Sequence, residues 1–227
     1  MFSFTHIFIN MNIKYITLLI ALIGVVILYI LSLYAQPPII HLSELPDHEG
    51  KIITTQGTIN KYHQTDYGNQ IITIIDNGTK ATVFASTPTD IQSGDVIQVT
   101  GSVEQYQDTW EIMVDDPKAI QILKKWDQST TPLWEIAQNP TLYHDQNLNV
   151  TGYIDSIYES YLYFTDNENE HTILVILPQT NNITLHTGEL VILKAQFNYD
   201  PTQLQYIFSI TEPHHTIEPV SGDLSDA

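Results

Sequence analysis

The sequence predicts an all-β protein of two tandem five-stranded barrels preceded by one transmembrane α-helix, and three observations carry that reading. The first is an uncharged run over residues 16–35, ITLLIALIGVVILYILSLYA, about the length needed to cross a ~30 Å hydrocarbon core as a helix. The second is a period of two in residues 94–103, where Ile97, Val99, Gly101 and Val103 fall on one face and Gln98, Thr100 and Ser102 on the other. The third is that this strand returns. Gly188-Glu189 opens a second copy with Val191, Leu193, Ala195 and Phe197 in the matching places. Each copy keeps a small residue, Gly101 or Ala195, two steps before its last inward position, where a strand curling over a tight core tolerates little bulk.

The apolar run reads as an uncleaved signal anchor. A cleavable signal peptide has a shorter apolar region, and Leu33, Tyr34 and Ala35 lack its small-x-small cleavage pattern. Lys14 precedes the run and the next lysine is Lys51, so the charge bias places residues 1–15 in the cytoplasm and the barrels outside it. Met11 begins a segment that looks more like the start of a signal anchor than Met1 does. Pro37 and Pro38 then end the helix stiffly.

The first barrel is expected over residues 41–123. Ser43 to Pro46 form a turn. Residues 51–60 alternate with Ile53, Thr55, Gly57 and Ile59 on one face, and residues 62–69 read as a polar loop closed by Gly68. Residues 70–76 are a second strand, Asn77-Gly78 carries hairpin chemistry, and 80–84 are a third strand. A linker over 85–93, with room for one helical turn, leads to the strand that repeats. Residues 110–114 form the fifth strand and 119–123 a closing extension.

A polar linker, 124–131, joins the modules, and Thr131-Pro132 caps a short helix over 133–137. In the second barrel, residues 132–212, Leu148, Val150, Gly152 and Ile154 mirror Ile53, Thr55, Gly57 and Ile59 at a constant offset. Asp166-Asn167 likewise mirrors Asp76-Asn77. Residues 204–210 are the last strand, and 213–227 read as a flexible acidic tail.

Composition limits the chemistry. The 227 residues include no cysteine, which excludes disulfides, thiolate metal sites and cysteine nucleophiles. The net charge is −18 and there is no arginine; beyond residue 36 the charge is −19, because all 26 acids and only seven of the eight lysines lie there. Such a field repels polyanions. No nucleophile-and-base constellation, phosphate loop or zinc motif is present, so the chain reads as a non-enzyme with no cofactor. His214-His215, lacking a third ligand, reads as a solvated turn and not a metal site. Asp115-Asp116 and Asp47/Glu49 sit at turns, where acids face water. Asn77, Asn149 and Asn182 begin triplets that fit the glycosylation pattern.

Five short strands per module, a gap after the third, and a glycine inside strands one and four resemble the OB fold, a small Greek-key barrel. The motifs that carry the likeness are Gly57-Thr58-Ile59, the Ile72-to-Gly78 strand and turn, Gly94-to-Gly101, and Tyr106 to Ile112 leading into Ile120. They resemble the nucleic-acid-binding OB domains of the anticodon-binding and single-strand-binding type. In that family the ligand lies across strands two and three between the first and fourth loops. The resemblance therefore implies a ligand face made of Lys61, Tyr62, His63, Tyr67, Lys80, Tyr106 and Trp110. Rings there could stack bases, although Trp110 shares parity with core positions Ile112 and Val114.

Single-stranded nucleic acid is a partner that the charge disfavours. Residues 42–125 hold twelve acids and six lysines, and 126–227 hold fourteen acids and Lys194 alone. The haem chaperone of cytochrome c maturation also resembles this layout, with an anchor, an OB barrel and a His-x-x-x-Tyr motif matched by His63 and Tyr67. There the motif follows the last strand, whereas here it falls in the first loop. The expected function is thus a membrane-anchored, non-enzymatic binding or assembly module outside the cytoplasm. Its partners are the membrane, through the helix, and another protein of the cell envelope. Single-stranded nucleic-acid binding and haem delivery are the alternatives.

Overall fold

The computed structural model describes residues 13–34, 36–178 and 184–220. Residues 1–12 of the segment expected in the cytoplasm, Asn182 and Ile183 of the third glycosylation triplet, and tail residues 221–227 lie outside the described residues. The chain forms two compact units that divide between Pro38 and Ile39. The first holds α1 (Ile13–Tyr34), a 22-residue helix about 33 Å long. Its segment Tyr15–Ser32 is apolar and long enough to cross a membrane, and by length and composition it equally fits a signal sequence.

The second unit holds both barrels. The first is built from β1 (Ile52–Gln64), β2 (Gln70–Asp76), β3 (Thr79–Ala85), β4 (Val96–Tyr106) and β5 (Thr109–Val114), with β6 (Ile120–Lys124) following. Its strand order is β1-β2-β3-β5-β4, and β4 returns to pair with β1 and close the barrel. All neighbours are antiparallel except β3 and β5. β7 (Gln146–Ile157), β8 (Tyr161–Thr165), β9 (Thr172–Ile176), β10 (Leu190–Asp200) and β11 (Gln205–Ser209) repeat the order, with β9 and β11 parallel. This is the connectivity of the OB barrel.

Alternation produces two separate cores. Ile53, Ile59, Ile72, Val83, Ile97, Val99 and Ile112 fill the first, and Val150, Leu162, Phe164, Leu193, Phe197 and Phe208 the second. Each such side chain contributes roughly 1.5–3 kcal/mol of hydrophobic stabilisation. The glycines inside the strands answer to crowding. A Cβ on Gly101 would lie 2.4 Å from the Met113 carbonyl oxygen, and one on Gly152 2.6 Å from Cζ of Phe164. A 3-10 helix (Leu42–His48) buries Leu42 and Leu45 under the first barrel, and α2 (Leu133–Gln138) buries Leu133 and Ile136 under the second.

Several local expectations change. β1 runs on to Gln64, so Tyr62 and His63 belong to a strand and not to the first loop. The 85–93 linker contains no helix; the buried Gln70 side chain accepts from the Thr89 N–H at 2.9 Å and donates to the Thr89 carbonyl at 3.3 Å, doing the work of a backbone rung. Pro132, not Thr131, is the N-cap of α2, and it makes no side-chain cap bond. Asn77-Gly78 is a two-residue turn with both φ values positive, 48° and 79°. Its counterpart is longer, because Thr165 pairs with Thr172 and the left-handed residue is Asn169 (φ 57°).

The described start of the acidic tail, up to Val220, is more ordered than its composition suggests. β12 (Thr216–Pro219) pairs with β10, Leu193 opposite Ile217, just as β6 pairs with β4 through Val99 and Ile120. Ile217 is buried in the second core.

The linker between the barrels is a packed joint. Trp126, in a polar stretch, is 7% exposed. Its N–H donates to Asp95 Oδ1 at 3.0 Å and its indole N–H to Gln92 Oε1 at 2.6 Å. Asp95, fully buried, also accepts from the Gln92 N–H at 2.9 Å and from Lys125 Nζ at 3.1 Å. Gly94 lies beneath this joint with φ 89°, and a Cβ there would sit 2.3 Å from the Asn147 carbonyl oxygen.

Candidate ligand-binding cleft

A bulge creates the site. Ile59 pairs with Ile74, but the next rung joins Lys61 to Thr73, leaving Asn60 as the extra residue. Without it, simple alternation would turn Lys61 toward the core; with it, Lys61 joins Thr73, Thr82 and Glu111 in one row across the outside of the sheet. Asn60 itself is 4% exposed. Its amide donates to the carbonyl of His144 at 2.5 Å.

Beside this row is a cleft of about 510 Å³ that Lys61, Thr73, Lys80, Thr82, Asp108 and Trp110 line from the first barrel. His144 and Asp145, at the entry to the second barrel, form the opposite wall. Asp145 is held at φ 66°, an uncommon conformation for a residue other than glycine. Its N–H donates to the Phe197 carbonyl at 2.9 Å and its carbonyl accepts from Ser93 Oγ at 2.6 Å. Ser93 Oγ also contacts the Asn60 carbonyl, so one buried hydroxyl and one buried amide set the position of the far wall.

The structure therefore brings together three of the residues expected at the ligand face, Lys61, Lys80 and Trp110. Trp110 is half-buried, packing its inner side against the core while it lines the cleft. Tyr106, 61% exposed, is on the adjoining β4–β5 hairpin opposite Thr109. Tyr67, 92% exposed, belongs to the β1–β2 loop at the other end of the strands. His63 is exposed on β1 opposite Ile71. Tyr62 faces the joint: burial raises its hydroxyl pKa, and the charges of Glu212, Asp90 and Asp95 push the same way. The residues that sequence reading missed are Asn60, His144 and Asp145. A polar residue breaking the alternation after Ile59 is the one signal that could have pointed to the bulge.

His214-His215 is no solvated turn. His215 is 5% exposed. Its Nδ1 accepts the N–H groups of Thr211 and Glu212, each at 3.1 Å, and its Nε2 faces Asn147 Oδ1 at 3.1 Å. Burial, and next the neighbouring His214, push its pKa down to about 4, so the ring is neutral. Glu212 provides the third donor the sequence did not suggest, with all three groups within 4.8 Å of one another. Both nitrogens of His215 are already engaged, so as a cation site the trio is short of a ligand.

The second barrel has its own pocket of about 250 Å³, floored by Leu133, Ile136 and Phe197 and rimmed by Tyr163, His171 and Tyr206. Tyr158 stacks on Tyr161 at 4.6 Å, and Tyr163 meets both edge-on. His171 Nδ1 is 2.8 Å from Asp166 Oδ2. Burial alone would raise the Asp166 pKa, but the hydrogen bonds from His171 and the backbone N–H groups outweigh it and lower it. The two sites adjoin: the His144 ring lies edge-on to Tyr206 at 6.2 Å.

The sequence matches no protein-family model and no curated protein. Among solved structures it is similar to an aspartyl-tRNA synthetase from Entamoeba histolytica, 13% identical over 40% of this chain and 23% of that one, TM-score 0.34. It is also similar to a chain of a replication protein A heterotrimer bound to ssDNA, 12% identical over 34% of this chain and 61% of that one, TM-score 0.29. A third is the telomere capping protein Ten1 from Saccharomyces pombe, 15% identical over 38% of this chain and 81% of that one, TM-score 0.29. The chain spans less than a quarter of the synthetase.

Proposed function

We propose that this protein is a non-enzymatic ligand-binding module, tethered to a membrane by α1 and displaying its barrels outside the cytoplasm, with another envelope protein as a further partner. The observation that carries the binding role is the cleft itself. A bulge, a strained aspartate and buried bonds between the barrels hold an aromatic ring and two lysines around one open volume. A strained residue persists where the surrounding structure over-determines it, and such residues cluster at ligand sites whose supporting bonds fix their geometry. Lys14, in the first turn of α1 just before its apolar segment Tyr15–Ser32, with no further lysine until Lys51, supports the orientation. Protease added to intact cells should remove the barrels and spare α1; barrels that stay intact until the cells are lysed would reverse the orientation.

The second reading is single-stranded nucleic acid, favoured by Lys61 and Lys80 flanking Trp110. Stacking on such a ring is worth about 1–3 kcal/mol per base. A labelled oligodeoxythymidine at about 20 mM salt should then bind with a steep salt dependence, and absence of binding there removes the reading. Haem delivery receives no comparable support, since His63 stands on a strand and Tyr67 at a loop tip.

A further inference from the structure

We propose that Asn77 is a modification site: its side-chain amide carries an N-linked oligosaccharide at the tip of the β2–β3 hairpin. The proposal rests on the reading that the barrels stand outside the cytoplasm.

The structure separates triplets that are equal in sequence. Asn149 stands in the middle of β7, opposite Lys194. It is 8% exposed, and its amide donates to the Asp127 carbonyl at 3.0 Å. A sugar on that nitrogen would have to occupy space that the packed linker fills, so a chain modified there cannot close the joint. Asn182 falls outside the described residues.

Asn77 is the opposite case. With Gly78 it forms the exposed end of the hairpin, beyond the last rung, which pairs Asp76 with Thr79. A Cβ added to Gly78 would meet no atom within 4 Å, so the tip stands in open space. Among the described residues no hydrogen bond holds the Asn77 amide, and nothing has to be broken before it reacts. Its φ of 48° is one that asparagine adopts more readily than most residues. An exposed turn is where an acceptor asparagine belongs, because the attached glycan is bulky and hydrated.

The neighbouring surface has room for the first sugars. Asn77 and Gly78 stand on one side of an open groove of about 460 Å³, and Leu142 and Tyr143 on the other. Leu142, on the short helix Pro140–Tyr143, is 44% exposed, and no charged residue lines the groove. The C–H face of a sugar can rest on that leucine while its hydroxyls stay in water.

The reaction needs a lipid-linked oligosaccharide as donor and a membrane enzyme that transfers it. Asn77 Nδ2 attacks the anomeric carbon, and the bond from that carbon to the donor's phosphate oxygen breaks. The lipid phosphate leaves with the electron pair, and one Nδ2 proton passes to a base of the enzyme. An N-glycosidic amide remains, with nothing oxidised or reduced. Thr79 completes the triplet that such an enzyme reads.

The test is mass spectrometry of the full chain purified from its native membranes. Lys61 and Lys80 bracket the acceptor, so trypsin releases it on peptide 62–80. That peptide should be heavier by a series of sugar residues, and a second protease that isolates Asn149 should find it unmodified. Thr79→Ala, made in the same cells and checked for folding by circular dichroism, keeps Asn77 and should lose the added mass. Peptide 62–80 at its bare mass, with barrels that protease removes from intact cells, overturns the proposal and leaves the orientation standing. A bare peptide with barrels protected until lysis overturns both readings. A glycan on Asn149 in the folded chain, or added mass that survives Thr79→Ala, also overturns the assignment.

Discussion

The side-chain amide of Asn60 donates to the main-chain carbonyl of His144 at 2.5 Å, across 84 residues of sequence. One bond thus couples the bulge that turns Lys61 outward to the residue that forms the opposite wall of the cleft. Asn60→Ala should leave the His144 carbonyl without that donor and destabilise the protein by about 1–3 kcal/mol. It should also broaden the NMR signals of His144 and Asp145 more than those of the distant Tyr67. Unchanged thermal unfolding and unchanged spectra at His144 would show that the bond sets nothing.

Gly94 and Gly50 both have positive φ, 89° and 72°, but only Gly94 is crowded. At Gly50 an alanine meets only backbone strain, about 1 kcal/mol. At Gly94 its Cβ would also press on Asn147 and on Cβ of Trp126, at 2.3 and 2.9 Å. Gly94→Ala should therefore cost clearly more than Gly50→Ala in denaturant unfolding, and equal midpoints would contradict the packed joint.

Asp95 is fully buried and shares its carboxylate among Trp126, Gln92 and Lys125. Asp95→Ala removes all three bonds and leaves Lys125 without its carboxylate, a loss of about 3 kcal/mol. Indole fluorescence should shift toward that of solvated tryptophan as Trp126 is released. Retention of the wild-type spectrum and stability would refute this role.

His215 supplies a pH dependence with a definite sign. Its pKa falls from 6.5 in the unfolded chain to about 4 in the fold. Between those values the unfolded chain binds the extra proton, so the His215 contribution is complete above pH 6.5 and is lost as the pH falls toward 4. The loss should amount to about 1–3 kcal/mol. Glu212 and His214 face the same ring, so the measurement is a comparison of melting temperatures between wild type and His215→Gln across that window. The variant should be less stable near neutrality and flatter toward acid; parallel curves would assign the slope to other groups.

Local patterns carried most of the architecture. Ile97, Val99 and Val103 alternate because one face is dry, Gly101 is small because Met113 and Ile112 crowd it, and Asn77-Gly78 turns because both φ values must be positive. These are properties of residues adjacent in the chain or on a neighbouring strand, so the strand repeat, the barrel number and the apolar helix are legible without coordinates. The same reading grouped Lys61, Lys80 and Trp110 with Tyr62, His63, Tyr67 and Tyr106, because an expected face has no ends.

Tertiary structure decided which of those residues share a cleft, and the reason is a single inserted residue. The bulge at Asn60 breaks the period of two, and the strand's own sequence hints at it only through the polar Lys61 at what would be an inward position, without stating how the partner strand absorbs the extra residue. It also decided that Trp126, Ile217 and His215, each lying in a stretch that reads as polar linker or tail, are buried. The burial of Trp126 and His215, whose rings meet edge-on, depends on a second barrel arriving beside the first, and that of Ile217 on its strand pairing with β10; no local pattern encodes either contact.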